Sequence, residues 1–579
     1  MKTKLLLKRL SKIPIFIWFL IFGFATFGSI LFNDFIIDDF GQIVDNPYVH
    51  SLKYIFTHFS GSTFYIAGLP KLFGIYYKPF LPLSYSLMYA IVGPNPAFFH
   101  FIQLFLHILN AYLVYRLLKN FFPSISPILA LIFLVHPINT EAVAYIADLQ
   151  DILFVTFGLL ASNLAISSKT DTYTRFSIYL LLLFSLFSKE TGVLFLATLL
   201  SYFYIFNRKK FTQAIFTSSA VLTSYGFFRF VIVGVGLGSD DFTPISNSTL
   251  LTRLTNMPQI ITYYFKTLVF PKNLYMYNQN IINLPTFAEF YLPLVFVLIA
   301  LFLIFYFGKT LYFDDKQKFK VFSFFLFWVL VGIGFHSQIF PLDALVADRW
   351  FYFPFIGILG LIGTVLTIYK PSRTVSIITV FAILITLSAR SFDRSKDFKD
   401  TFTLVSHDII YNPESSELES ILGGALLDMG EYDESIIHLE NSVRIFPNNG
   451  LTWYKLGVTY QKQAIAQKKT ETIDFSKAID SYEKSIEIAH NYNAYNRLSD
   501  LYLHTNNFEE AIEVAEEALK RYPVSTELLL TLAVSHYQLG HKTEAIIFAQ
   551  QLVRLDENPA NLQILNTIKN SNPINVTPF

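Results

Sequence analysis

Two adjacent acidic residues follow the first apolar segment of the chain. Asp38 and Asp39 come shortly after a run of about twenty apolar residues, the length that crosses a lipid bilayer. Neighbouring carboxylates beside a low-dielectric surface repel each other, which raises the pKa of one of them or attracts a cation. Either outcome suits a general base or a metal ligand. The alternative is a solvated loop whose acids have no chemical role.

Further ionisable residues stand at later breaks in the apolar sequence. They are His136, Glu141 and Asp151; Lys189 and Glu190; Arg229; and Asp343, Asp348 and Arg349. Such groups are costly at membrane depth, so they predict a functional site if they share one side of the membrane. Simpler interpretations exist for single residues. His136 could cap a helix before Pro137, Lys189 and Glu190 could pair with one another, and Arg349 could reach lipid phosphates.

The composition predicts a polytopic membrane protein to position these residues. Of 579 residues, 53% are hydrophobic and only 15% are charged, which is outside the range of soluble globular proteins. The formal net charge of +1 gives no basic field for nucleic acid, so no nucleic-acid partner is expected. The lack of cysteine excludes disulfides, thiolate metal sites and cysteine nucleophiles.

Seven windows are apolar enough to span a bilayer without further argument. They lie near residues 13–32, 98–118, 211–232, 291–307, 321–339, 351–369 and 374–389. Six clusters of basic residues should all be cytoplasmic by the positive-inside rule. They are Lys2, Lys4, Lys8, Arg9 and Lys12; Arg116 and Lys119; Lys169 and Arg175; Arg208, Lys209 and Lys210; Lys309, Lys316, Lys318 and Lys320; and Lys370 and Arg373.

An even number of crossings must separate each basic cluster from the next. This adds crossings near 126–136 and 151–167, and near 176–187 and 191–206, for a total of about eleven. Short helices are tolerated where a cavity cuts into the membrane, so their shortness predicts a site on the outer side. The odd count places the N-terminus in the cytoplasm and the C-terminal region outside. The first segment is similar to a signal peptide but lacks a small-residue cleavage motif, which favours a retained span.

The C-terminal region contains about four repeats of the tetratricopeptide pattern, whose period is about 34 residues. Trp453, Leu456, Gly457 and Tyr460 open one copy, which continues after an insertion near "QAIAQKKT" with Ala478, Tyr482 and Ser485; Ala511, Ala518 and Pro523 serve the next copy. Stacked helical hairpins of this kind form a concave groove for an extended peptide or a partner protein. The alternative is that the repeats only brace the membrane domain.

The ordered motifs together resemble one family. "IIDDFGQIVDNPYV", "KPFLPLSYSLMYAIVG", "HPINTEAVAYIADLQDIL", "SKETGVLF" and "DRWFYFP" precede the repeats, as in the transmembrane and tetratricopeptide repeat-containing O-mannosyltransferases and their prokaryotic relatives. These belong to the GT-C superfamily, which takes sugar from a polyprenyl-phosphate carrier. The resemblance implies an all-α protein with a GT-C-like transmembrane glycosyltransferase domain over residues 1–390, a linker over 391–415 and an α-solenoid of repeats over 416–579.

The resemblance also implies a hexosyltransferase, for mannose or a similar sugar, in a prokaryotic plasma membrane. Its partners would be the polyprenyl-phosphate-linked donor, membrane lipid and a protein Ser/Thr or glycan acceptor, which the repeat groove could recruit. The transfer would take place on the non-cytoplasmic side. Two rival functions stay open: an oligosaccharide ligase or polymerase of the cell envelope, and a non-catalytic repeat scaffold anchored in the membrane.

The family motifs assign roles to residues at matching positions. Asp39 is the first choice for the general base, and Asp38 is the alternative base or a ligand of a divalent cation, magnesium or manganese. Arg349 and Lys189 would neutralise the leaving phosphate. The remaining candidates for donor or acceptor binding are Glu190, His136, Glu141, Asp151 and Tyr352.

One position departs from the family pattern. Relatives usually carry a basic residue just before the equivalent of Asp151, whereas this chain has Leu149 and Gln150. If the missing residue holds carrier phosphate in relatives, Lys189, Arg349 or a metal must do so here, or the activity of this protein is weakened.

Overall fold

The computed structural model describes residues 14–66, 68–69, 72, 74–167, 171–236, 243–277, 281–282, 284–369, 373–467 and 473–576. The basic cluster from Lys2 to Lys12, together with Lys169 and Lys370, lies outside the described residues. The chain divides into two compact units. The first unit contains Met1–Thr63 and Gly74–Asn412, and the second contains Phe64–Phe73 and Pro413–Phe579.

The predicted all-α class is confirmed, because the described residues form helices and loops without a β-strand. The α-helices of the first unit are α1 Ile15–Phe27, α2 Ile55–Ser60, α3 Phe80–Val92, α4 Pro96–Lys119, α5 Ser126–Val135, α6 Thr140–Ala144, α7 Leu149–Ser167, α8 Thr172–Ser188, α9 Val193–Phe206, α10 Phe211–Gly226, α11 Leu250–Thr255, α12 Met257–Val269, α13 Leu292–Asp314, α14 Lys316–Phe335, α15 Tyr352–Ile368, α16 Arg373–Asp397 and α17 Thr401–Asp408.

Seven helical segments among the described residues are long and apolar enough to cross a membrane. They are Ile15–Phe32, Pro96–Lys119, Ile146–Ile166, Arg208–Val233, Phe287–Asp314, Lys316–Phe335 and Asp348–Ile368. The bent pair Ser126–Val135 and Pro137–Ala144 would make an eighth. The chain is therefore a multi-pass membrane protein. The other predicted crossings coincide with α8, with Glu190–Phe206 and with α16, so the total of eleven stays a prediction.

Local sequence explains where the helices start and stop. Asn95 caps α4 by accepting a hydrogen bond from the Ala97 amide, Pro96 occupies the first turn, and Lys119 stands in the last. Helix α5 ends at Val135 because His136 precedes a proline, which disfavours the helical conformation. The chain then bends by 53°.

A second break separates α8 from α9. Lys189 is extended, with φ of −158°, and a short 3₁₀ turn follows it. Gly192 lies so close to the preceding helix that an added Cβ would stand 2.6 Å from the backbone of Ser185. Only glycine permits this approach, which brings Lys189 and Glu190 to a fixed place at the end of α8.

Residues 391–412 do not form the predicted linker. Helix α16 continues to Asp397, α17 follows it, and the first unit ends at Asn412. Arg394 and Asp408 are buried and form a bidentate ion pair with N–O distances of 2.7 and 2.9 Å. Asp408 also accepts a hydrogen bond from the Met276 amide. These contacts tie the segment to the membrane domain rather than leaving it between domains.

The second unit is a series of helical hairpins, as the repeat pattern predicts. Its helices are α18 Ser416–Met429, α19 Tyr432–Ile445, α20 Gly450–Ala466, α21 Ser476–Ala489, α22 Tyr492–His504, α23 Phe508–Arg521, α24 Thr526–Gln538, α25 Lys542–Leu555 and α26 Pro559–Lys569. The small repeat residues sit where paired helices cross closely. An added Cβ at Gly457, for example, would lie 2.6 Å from the ring of Tyr482.

Phe64–Phe73 also belongs to this second unit. The carbonyl of Gly68 accepts a hydrogen bond from the Val524 amide at 3.3 Å. Gly68 has a positive φ of +80°, and an added Cβ would meet the ring of Tyr492 at 2.7 Å. Glycine is needed here for both its conformation and its size.

Candidate active site

Arg349 lies at the centre of an acidic pocket built where the apolar helices break. Its guanidinium pairs with Glu141, and its backbone amide donates to the other Glu141 oxygen at 3.1 Å. Asp148 lies 3.4 Å from its Nε, and Asp343 lies 3.9 Å from a terminal nitrogen. Arg349 is 15% exposed, whereas Glu141 and Asp148 are 4% and 3% exposed. Two buried carboxylates therefore hold the guanidinium while one side of it stays accessible.

Lys189 and Asp151 form a second fixed ion pair. The lysine Nζ lies 2.7 Å from both oxygens of Asp151, and the two side chains are 12% and 2% exposed. The sequence pattern allowed Lys189 to pair with its neighbour Glu190, but the structure shows another arrangement. The extended backbone at Lys189 directs the two neighbours to different partners.

Glu190 pairs instead with Arg229, which lies in the π-helical turn Phe227–Val233 directly after α10. The same Glu190 oxygen accepts a hydrogen bond from the Tyr77 amide at 3.3 Å. Arg229 donates to the carbonyls of Ile75 and Gly236 at 3.1 and 2.9 Å. This pair therefore fixes the backbone of residues 75–77, and the residue that follows them is Lys78.

Lys78 is a site residue that sequence reasoning did not select. It takes no part in the ion pairs that the described site residues form. Its Nζ lies 4.0 Å from the centre of the Tyr76 ring. Burial, with the positive charge of Lys189, lowers the pKa of Lys78 to about 8 against the opposing charges of Glu190, Asp343 and Asp151. The only early signal was its place in the family motif "KPFLPLSYS", because nothing in the local sequence indicates which charges surround it.

The two adjacent aspartates have different environments. Asp39 is fully buried, and its carboxylate oxygens accept hydrogen bonds from the amides of Ala147 at 2.8 Å and Ile36 at 2.9 Å. The first bond joins the first loop to the α6–α7 connection, and the second holds the backbone of the loop itself. Burial raises the pKa of Asp39 well above its usual value. A carboxylate enclosed in this way has no free face for a substrate.

Asp38 is exposed to solvent and is therefore the reachable member of the pair. Its backbone amide donates to the hydroxyl of Tyr145 at 3.1 Å. The surrounding protein raises the pKa of Asp38 by desolvation, while the Tyr145 hydrogen bond and the charge of Arg349 lower it. A general base must be within reach of the incoming substrate, and an exposed carboxylate meets this requirement. The geometry favours Asp38 over the predicted Asp39.

Two predicted site residues lie in the helical core instead. The ring of His136 accepts a hydrogen bond from the Ile138 amide, so it caps a short helix, and its other nitrogen lies 2.9 Å from the Leu268 carbonyl. The Tyr352 hydroxyl is buried, 2.8 Å from His107 and 3.2 Å from Asn110. Both residues stabilise helix packing and present no polar atom to the pocket.

The charges that remain form one connected group. The fields of Arg349, Asp343 and Lys78 act on Asp38, and those of Lys189, Glu190, Asp343 and Asp151 act on Lys78. The structure therefore brings together ionisable residues from distant parts of the sequence, from Asp38 to Arg349. This is what the sequence analysis expects if they form one site. Asp148 is a further member that the sequence pattern does not single out, since it is one acidic residue among several in the same motif.

The described residues contain no group of three or more His, Asp or Glu side chains placed to hold a metal ion. Asp39 cannot offer a free oxygen, because both are hydrogen-bonded to backbone amides. Of the two aspartates, Asp38 is the exposed one. Magnesium or manganese therefore stays a prediction that involves Asp38 and not the pair.

Comparisons with known proteins agree with this architecture. The family model described as Tetratricopeptide repeat matches residues 474–560. Protein O-mannosyl-transferase F38B6.6 of Caenorhabditis elegans is 25% identical over 441 residues, which cover 72% of this chain and 61% of the relative. The chain is similar to the protein O-mannosyl-transferases. The predicted family resemblance is thereby confirmed.

Two human relatives show how this similarity is distributed. Protein O-mannosyl-transferase TMTC3 of Homo sapiens is 21% identical over 602 residues, which cover 93% of this chain and 64% of the relative. Protein O-mannosyl-transferase TMTC1 of Homo sapiens is 35% identical over 143 residues, or 23% of this chain and 16% of that relative. The chain spans less than two thirds of the length of the first two relatives.

Proposed function

We propose that this chain transfers mannose, or a similar hexose, from a polyprenyl-phosphate carrier to the hydroxyl of a protein or glycan acceptor. The observation that carries the proposal is an exposed carboxylate, Asp38, on which the charges of Arg349 and Lys78 act. The carboxylate is needed to activate the acceptor hydroxyl, and the cations are needed to stabilise the departing phosphate. The names of the curated relatives support the mannosyl reaction.

The reaction follows from these positions. The acceptor oxygen forms a bond to the anomeric carbon while the bond from that carbon to the phosphate oxygen breaks. Asp38 takes the proton of the acceptor hydroxyl, and the phosphate leaves with the electron pair of the broken bond. Lys78 stabilises the negative charge that develops on it. Arg349 and Lys189 have smaller parts, because carboxylates already neutralise their charges.

This chain has Leu149 and Gln150 where relatives usually carry a basic residue, and Lys78 is a cation that can take the place of that residue. It is the cation of the group without an ion pair among the described site residues, so a phosphate can bind it without displacing a carboxylate. The Glu190–Arg229 pair holds its backbone in place through Tyr77 and Ile75. We therefore assign to Lys78 the phosphate contact that relatives would make from the position before Asp151.

The helix bounds support an outer location for this reaction. Helix α4 ends in a basic cluster at Arg116 and Lys119, and the next helix, α5, ends at the candidate site. Helix α9 begins at the site and ends before Arg208–Lys210. Basic clusters and site residues thus alternate along the chain, which the positive-inside rule reads as cytoplasmic and outer ends.

Chain connectivity supports the same side for the repeats. Phe64–Phe73 belongs to the repeat unit, while the residues before and after it belong to the first unit. Among the residues that the structure describes between 33 and 95, no helix is long and apolar enough to be a candidate span. We infer that the repeats and the loop that carries Asp38 and Lys78 are on the non-cytoplasmic side.

The proposal is tested with purified protein and polyprenyl-phosphate-linked mannose. Asp38→Asn removes the base while keeping nearly the same shape, and we expect turnover to fall by about 10² to 10⁴-fold. Asp34→Asn is the matched control, because Asp34 is an exposed acid of the same loop outside the charged group. Release of carrier phosphate and donor binding are both measured.

Three outcomes separate the possible functions. Loss of turnover with retained donor binding in Asp38→Asn alone supports the proposed base. Normal turnover in Asp38→Asn places the base elsewhere. No turnover by the unaltered chain with any of a panel of polyprenyl-phosphate sugars would favour the repeat scaffold.

A further inference from the structure

The repeat unit contains a groove that its own chain partly fills. A cavity of about 500 Å³ is lined by the first helix of successive hairpins: Tyr454 from α20, Asn496 from α22, Thr531 from α24 and Ile564 from α26. One end of the same cavity is lined by Ile574, Asn575 and Val576, which follow α26. These three residues are not part of a helix.

Residues 574–576 line this cavity, and α24 holds the backbone carbonyls of the segment that contains them. The hydroxyl of Tyr537 donates to the Asn572 carbonyl at 2.9 Å, and the amide of Gln538 donates to the Ile574 carbonyl at 2.7 Å. The segment is thus held partly through its backbone, which every sequence shares.

The side chains of the segment add a simple specificity. Ile574 and Val576 are partly buried against Leu503 and Val534, whereas Asn575 between them is exposed. Alternation with a period of two is the mark of an extended strand on an apolar surface. The groove therefore selects apolar side chains at alternate positions.

The rest of the groove continues with polar side chains. Asn493, Asn496, Arg497 and Asp500 line it, and their spacing of three and four residues puts them on one face of α22. Asparagine side chains both donate and accept, so they suit the amides and carbonyls of an extended backbone. No part of the described segment covers this stretch.

We propose that this groove binds an extended polypeptide with apolar side chains at alternate positions, and that residues 571–576 compete with it in cis. The inference concerns binding alone and does not rest on the transfer reaction. A tethered segment acts at an effective concentration of roughly millimolar, so a free peptide must exceed that competition to bind.

The test uses the full chain in detergent and a fluorescent peptide with the sequence of residues 570–579. Removal of residues 571–579 from the chain should lower the peptide Kd at least about tenfold, because the cis competitor is gone. A peptide carrying Ile574→Asp and Val576→Asp should not bind. That second probe leaves the protein unaltered, so misfolding cannot explain its result.

A variant of the groove gives a further check. Val534→Asp in the shortened chain should abolish peptide binding, while Ile547→Asp should not, because Ile547 is exposed on α25 and does not line the cavity. Equal affinity of the peptide for the intact and shortened chains overturns the competition. Absence of binding to the shortened chain, with its thermal unfolding unchanged, overturns the groove assignment.

Discussion

At the scale of single residues, neighbouring side chains of one type have separate functions. Asp39 uses both oxygens to hold the amides of Ile36 and Ala147, whereas Asp38 is exposed beside the cations. The same division applies to the lysines of the site. Lys189 is committed to Asp151, and Lys78 is available for an anion. The exposed aspartate and the lysine outside the described ion pairs are therefore the members of each type that a substrate can reach.

The pH dependence of donor binding should identify Lys78. Its pKa is lowered to about 8 by burial and by Lys189, with Glu190, Asp343 and Asp151 opposing. A lysine is cationic below its pKa, so kcat/KM should fall as pH rises through about 8. Lys78→Arg keeps its charge to much higher pH and should move this decline upward.

A neutral residue at this position should mainly weaken donor binding. We expect Lys78→Gln to raise the donor KM about tenfold, which is the loss of one charged hydrogen bond, with a smaller effect on kcat. Lys53→Gln is the matched control, since Lys53 is an exposed lysine of the same loop that also lies over a tyrosine ring. An unchanged KM and an unchanged alkaline limb in Lys78→Gln would remove this residue from the donor site.

At the scale of elements, breaks in helices create the site. The His136–Pro137 break and the extended Lys189 place the ionisable residues at the ends of short helices. The stretch predicted as a linker has a comparable role. Its Arg394–Asp408 pair and the bond from Met276 to Asp408 anchor residues 270–277 to α16 and α17. Arg390 adds hydrogen bonds to the carbonyls of Pro271 and Lys272.

Asp408→Asn tests whether this anchor stabilises the membrane domain. The change leaves the buried Arg394 without its nearest countercharge, which costs about 3 kcal/mol or more. We expect a lower thermal unfolding midpoint in detergent and faster proteolysis within residues 270–277. Asp393→Asn is the control, because the side chain of Asp393, which pairs with Arg390, is 69% exposed. Exposed ion pairs of this kind contribute about 0 to 1 kcal/mol to stability. Equal midpoints for the two variants would contradict the anchor.

At the scale of the whole molecule, the number of crossings decides where the chemistry happens. The positive-inside argument gives about eleven crossings, whereas length and composition alone identify seven helical segments, or eight with the bent pair. Odd and even totals place the repeats on opposite sides. Counted from the eight segments, α8 and α9 add two crossings and leave the parity unchanged, so the odd total depends on α16.

Reporter fusions resolve the parity directly. Fusions after Lys119 and Lys210 should be active only in the cytoplasm, and fusions after Asn412 only outside it. The reason is that basic clusters stay on the cytoplasmic side while the loop containing Phe64–Phe73 enters the repeat unit. A cytoplasmic signal after Asn412 would contradict both the eleven crossings and the outer site.

The sequence by itself determined the class of the protein, its helices and its repeats. Apolar run length, proline breaks and the period of small residues are local properties, and each acts within a few turns of chain. The ionisable residues at the breaks between apolar segments could also be identified from the sequence, because residue type is a local property. Glu141, Asp151, Lys189 and Arg349 were found because charge is conspicuous in an apolar sequence.

Only the tertiary structure decided which of these groups is free to react. Asp39 is not available because it accepts a hydrogen bond from the amide of Ala147, which is more than 100 residues away. Lys189 is not available because it pairs with Asp151. The hydroxyl of Tyr352 is satisfied by His107 across the helix bundle. Burial and hydrogen bonding are set by contacts between distant segments, whereas a sequence pattern records only neighbours. For that reason the sequence indicated a carboxylate and a cation, whereas the fold shows that Asp38 is exposed and that Lys78 is outside the ion pairs of the described site residues.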